Sequence, residues 1–305
     1  NATRIEDAFI GVACMNTAMI NFEDVQTQLL TYSNNLYTLG SLIIPQYVST
    51  SLARNTAGGV LLCKDAITTL PLFKNCFQGI NLSWFNNSFN DGLFNSTTLI
   101  KNTNFLCDRY LWYPFTNIPN VNGSAGVISE AGIHINFYTN WGDDLANITN
   151  CRFTNQSFGI RCFEALDFVV DNCRFEKTAF PSSFRTVGVS VFNFSNSPLL
   201  STDFSIRNNV FENNFVAIQN AGGDTEMAFN EINPNATSSN YLTNYIGILN
   251  VGSLYQIHDN QIKRVGTGVA IQNNGQQVGK IKLNTFTNVL YGIRSIGNNQ
   301  GNTTV

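Results

Sequence analysis

Residues 148–175 read ITNCRFTNQSFGIRCFEALDFVVDNCRF, and Asn-Cys-Arg-Phe occurs twice within them, at 150–153 and 172–175. Working outward from this pair, six segments align on Cys151, Cys173, Asn209, Asn230, Asn260 and Asn284. Three residues earlier stand Ile148, Val170, Ile206, Met227, Ile257 and Ile281; two later stand Phe153, Phe175, Phe211, Ile232, Ile262 and Phe286. A small residue before a β-branched one follows in every copy: Gly159-Ile160, Gly188-Val189, Ala217-Ile218, Gly247-Ile248, Gly268-Val269 and Gly292-Ile293. Successive copies are 22, 36, 21, 30 and 24 residues apart. A base period near 22 with occasional insertions predicts a solenoid whose loops vary while its core strands do not.

Within each copy the apolar residues form two runs too short for helices and rich in Ile, Val and Phe, which predicts strands. The Asn or Cys shares parity with the Phe or Ile two places on, so both point inward. Stacked turns then bring like residues about 4.8 Å apart. A buried Asn amide without a partner costs roughly 1–3 kcal/mol, and a column of Asn meets that need from turn to turn. Cys151 and Cys173 replace Asn in adjacent turns, where parallel side chains suit a disulfide poorly, so free buried thiols are expected. The Gly before the β-branched residue suits either a positive φ or a close backbone approach.

Composition agrees. Of 305 residues, 44 are Asn, 23 Gly and 24 Phe, with only 7 Pro; 43% are apolar and 12% charged. That excludes an intrinsically disordered chain. A net charge of −3 supplies no basic field for nucleic acid, so none is expected as a partner. No apolar run approaches the eighteen residues of a membrane-spanning helix, so membrane insertion is not expected. Seven cysteines without a CxxC pair argue against a zinc or thioredoxin-type site. The chain opens at Asn1 without a targeting signal, and its last residues follow directly on the repeat; a fragment of a larger protein is expected.

The periodicity resembles the right-handed parallel β-helix repeat shared by pectate lyases, polygalacturonases, phage tailspikes and many bacterial surface proteins. The match is clearest over 148–296. Weaker copies run upstream at Leu72-x-x-Asn75-x-Phe77 with Gly79-Ile80, and at Ile100-x-x-Thr103-x-Phe105; Gly11-Val12 and Gly59-Val60 mark still earlier turns. The resemblance implies an all-β fold and a single domain over 1–305, with 1–70 less regular. About twelve coils of about 22 residues are expected.

Insertions in solenoids often gather on the binding face. Two coils carry longer loops at one phase, 176–186 (EKTAFPSSFRT) and 233–245 (NPNATSSNYLTNY). Phe180, Phe184, Tyr241 and Tyr245 are therefore the candidate binding residues, walls of a shallow groove for sugar rings. The plainer alternative is that they pack the loops against the barrel. For catalysis, Trp141-Gly142-Asp143-Asp144 resembles the Gly-Asp-Asp motif of polygalacturonases, and paired carboxylates are what glycoside cleavage needs. That family's Asn-Thr-Asp, Gly-His-Gly and Arg-Ile-Lys are missing, and adjacent carboxylates on a strand point to opposite faces. Should the chain be an enzyme, Asp143, Asp144 and His134 are the candidates. His134 alternates with Ile133 and Ile135 and is expected to face solvent, and His258 precedes Asp259 in a turn. Acidic residues are scattered singly, so no metal is implied, and no glycine-rich stretch has the context of a cofactor site.

These readings favour a structural or adhesive segment of a large secreted or surface-displayed bacterial protein, with glycans or surface polymers and neighbouring domains of the same chain as partners. Similar Asn-rich β-helices belong to long extracellular proteins exported with C-terminal sorting domains, for example by type IX secretion. The alternative is a β-helical polysaccharide lyase or glycoside hydrolase; the balance falls against an enzyme.

Overall fold

The computed structural model describes residues 5–6, 10–14, 20–23, 60–63, 73–83, 99–110, 128–136, 146–163, 168–178, 184–192, 203–235, 242–273, 278–297 and 303–304. Every regular element among them is a strand. The strands fall into three sheets of nine, ten and nine, and all the pairings in them are parallel. Each full coil passes through the sheets in the same order. In one coil Ala146–Thr149 belongs to the second sheet, Arg152–Thr154 to the first and Phe158–Phe163 to the third. This is a parallel, β-helix-like solenoid, with nine or ten strands per sheet among the described residues.

The columns read from the sequence are the columns of the core. In the second sheet Ile148 pairs with Ile100 and Val170, and Ile206, Met227, Ile257 and Ile281 continue the line. In the first sheet Phe105, Phe153, Phe175 and Phe211 stack with ring centroids 4.8–4.9 Å apart and planes within 9° of parallel. In the third sheet Ile133, Ile160, Val189, Ile218, Ile248 and Val269 are all fully buried.

At the corner between the second and first sheets, each ladder residue accepts from the backbone of the one before it. Cys173 N donates to Asn209 Oδ1 at 2.8 Å, and Asn209, Asn230 and Asn260 continue the pattern at 3.1, 2.9 and 3.0 Å. Each amide nitrogen turns back to a carbonyl of the preceding coil, such as Asn230 Nδ2 to Ile206 O at 2.8 Å. The residue before the ladder position has a positive φ at Asn102, Asn150, Asn172, Asn208, Phe229, Asp259 and Leu283. Asn tolerates that conformation best among residues with a side chain, which accounts for the Asn-Asn and Asn-Cys doublets.

Two upstream registers differ from the sequence reading. Phe73, rather than Phe77, occupies the Phe column and pairs with Phe105, and Ile80 follows it at the same distance as Ile160 follows Phe153. Val60 opens a strand of the second sheet, with Leu62 beside Ile100, so Val60 does not take the place of the Ile in a Gly-Ile pair, and Gly59 lies outside the described residues. Gly11-Val12 does take that place, Val12 pairing with Ile80. Cys76, Cys107, Cys151, Cys162 and Cys173 are buried, and none of them forms a disulfide. Burial pushes the Cys107 thiol up to about 11 and the Cys162 and Cys173 thiols well above their ordinary range.

Candidate functional site

The loops of 176–186 and 233–245 both lead into the third sheet, at Val187–Phe192 and Leu242–Val251. Val187 pairs with Val216 and Val216 with Ile246, so the residues just before them, Thr186, Phe215 and Tyr245, form a row along this corner, one per coil. Backbone bonds fix the row: Val216 N donates to Thr186 O at 3.2 Å and Ile246 N to Phe215 O at 2.9 Å. The Phe215 and Tyr245 rings meet edge to face at 5.6 Å. The Arg185 guanidinium lies over the Phe215 ring, 4.4 Å from its centroid. Phe184 tilts against Tyr110 at 5.9 Å, and its carbonyl accepts from the mostly buried Lys177 ammonium at 2.5 Å.

Phe184, Phe215, Tyr245 and Tyr110 are half-buried and Arg185 is exposed. Phe184 and Tyr245 therefore come to one corner, linked through Phe215 and Arg185. Tyr245 also packs on the core, as the plainer reading expected. Phe180 and Tyr241 lie outside the described residues. Phe215 was legible, since it precedes Ile218 by the interval at which Tyr245 precedes Ile248. Nothing in the sequence tied Tyr110 or Arg185 to the site.

A second cluster lies on the outer face of the same sheet, where His134, Arg161 and Ser190 stand side by side on successive strands. The Arg161 guanidinium rests over Phe158 at 4.9 Å and Phe163 at 4.6 Å and pairs with Glu130. Gln78 Nε2 donates to the other Glu130 oxygen at 2.7 Å. His134 points outward as the alternation requires, yet it is only 9% exposed rather than solvated. Alternation sets the face but not what covers it, and here Arg161 and Phe163 of the next strand crowd the imidazole. Burial lowers its pKa; the Glu130 charge opposes that shift and the Arg161 charge adds to it. His134 Nδ1, Arg161 Nε and Ser190 Oγ have no hydrogen-bond partner. Asp143 and Asp144 lie outside the described residues.

His258 is tied at both ring nitrogens, to Asp259 at 2.8 Å and Glu226 at 3.1 Å. Among the described residues no three His, Cys, Asp or Glu side chains converge as ligands of one metal ion would. A scan of protein-family models gave no match, and a search of curated proteins gave none either.

Half-exposed aromatic faces in a row offer stacking surfaces to sugar rings, whose axial C–H groups pack against π faces.

Proposed function

We propose that the chain is an adhesive, glycan-binding stretch of an extracellular or surface-displayed bacterial protein. In this reading it is a right-handed parallel β-helix of about twelve coils, a rigid stalk that carries its binding residues on one corner. The observation that carries the reading is the pair of half-buried rings at Phe215 and Tyr245, one coil apart on a backbone held by parallel pairing, with the half-buried Phe184 two residues before their row partner Thr186. Rigid placement reduces the ordering cost that weak stacking contacts must otherwise overcome.

The test is a panel of soluble polysaccharides scored for both retention of the protein and release of shorter products. Retention without products is expected, and Phe184→Ala with Phe215→Ala should abolish it while the far-ultraviolet spectrum stays unchanged. No retention on any glycan would overturn the reading and leave a spacer.

One observation favours a second reading, a polysaccharide-cleaving enzyme. A buried imidazole with an unpartnered nitrogen stands beside Glu130 and Arg161, near aromatic rings. Product release that is lost in His134→Gln would establish it, and would call for Asp143→Asn and Asp144→Asn as the next variants.

A further inference from the structure

We propose that the ligand of the Phe184–Phe215–Tyr245 corner is an acidic saccharide, whose carboxylate or sulfate is received by Arg185. The inference rests on the reading of this corner as a glycan-binding surface and names the chemical class of the glycan.

Arg152 and Arg174 both bond Glu176, Arg161 pairs with Glu130, and Arg207 stands by Asp171. Arg185 differs. It is exposed, lies over the Phe215 ring, and has no acidic partner among the described residues. Stacking uses the flat face of a guanidinium and leaves its N–H groups free in the plane, a fork that matches a carboxylate or sulfate. The charged groups nearby in the chain or on the paired strand have partners of their own. Glu176 is held by Arg152 and Arg174, Glu212 accepts from Asn235, and Lys177 is turned toward the Phe184 carbonyl. A sugar ring lying against Tyr245 therefore sits beside Phe215 and the cation stacked on it, and an acidic substituent on that ring fills the fork. Arg294 stacks on Tyr291 in a similar way at 5.1 Å, but on the last described strand of the third sheet, with no further ring against Tyr291 among the described residues.

The experiment measures affinity of the whole chain for two matched pairs of probes: polygalacturonate with its fully methyl-esterified form, and dextran sulfate with dextran. Wild type should bind at least one acidic member about tenfold more tightly than its neutral counterpart, and Arg185→Gln should erase that preference. Arg185→Lys, which keeps the charge but loses the planar fork, should recover only part of it. Arg294→Gln should leave it intact. The pair that responds identifies the carboxylate or the sulfate. Equal binding of acidic and neutral members, or an undiminished preference in Arg185→Gln, overturns this proposal. Neutral binding that is lost on Phe215→Ala would leave the glycan-binding reading standing, whereas no binding to any of the four probes overturns both.

Discussion

Gly159 shows how a single position is set by its neighbours on the next coil. A Cβ there would lie 2.4 Å from Phe175 Cδ1 and 2.6 Å from Gly188 O, and Gly79, Gly132, Gly188 and Gly268 meet the same obstruction from a Phe ring. None of these glycines has a positive φ, so close approach rather than backbone conformation excludes a side chain. Ala217 breaks the rule where the column residue of the following coil is Ile232 instead of Phe. Gly159→Ala should therefore destabilise by about 1–3 kcal/mol through overpacking, read from denaturant midpoints. Ala217→Gly should cost about 1 kcal/mol or less, through chain entropy and a lost methyl contact. Equal effects at the two sites would mean that the Phe stack does not select the glycine. Leu283 is the opposite case: it adopts a positive φ and is 74% exposed, so neither its backbone nor its burial explains a leucine there.

At the scale of strands, the outer face of the first sheet carries charge while the inner face carries the Phe stack. Glu176 accepts from Arg174 Nε and Arg152 Nε, both at 2.9 Å, and from Thr154 Oγ1 at 2.9 Å. Burial by itself raises its pKa, but the bonds from Arg174, Arg152 and Thr154 outweigh burial and hold it below its ordinary value of 4.5. A carboxyl lowered by folding stabilises fully above its unfolded pKa and loses that contribution as pH falls through the lowered one. The arginines are partly exposed, so the contribution at neutral pH is about 1 kcal/mol after solvent screening. Glu176→Gln should be less stable than wild type near pH 7, and the gap should close as pH falls below 4.5 and through the lowered pKa. A gap that is constant with pH would mean that shape, not charge, accounts for it.

Strand order was largely legible because each column is occupied by one kind of side chain, as Ile148, Val170, Ile206, Met227, Ile257 and Ile281 show. The first coils were less so. Leu72, Asn75 and Phe77 imitate the spacing of the repeat, yet Phe73 pairs with Phe105, and only the ladder distinguishes the two registers. The candidate site was half legible. Loop phase pointed to Phe184 and Tyr245, while Arg185 joins through a cation–π contact between different coils, which periodicity does not encode.

Over the whole molecule, contacts run from each coil to the coils beside it, so local stability follows position along the axis. The strands Phe158–Phe163 and Arg152–Thr154 have hydrogen-bonded neighbours on both sides. Among the described residues Thr285–Thr287 and Tyr291–Ile296 stand last in their sheets, with Leu290, Tyr291 and Ile293 exposed. Among the described residues Asn284 accepts from Asn260 as the last rung of the ladder, and Phe286 is the last of its column and only half-buried. Amides of these outer strands should exchange at least about tenfold faster than those of the inner pair under native conditions, because among the described residues each outer strand is paired on one side and each inner strand on two. Deuterium uptake resolved by peptide measures this directly. Equal protection at both places would mean that the end coil is covered in solution; a dependence on protein concentration would then assign the cover to a second copy stacked on the open strands.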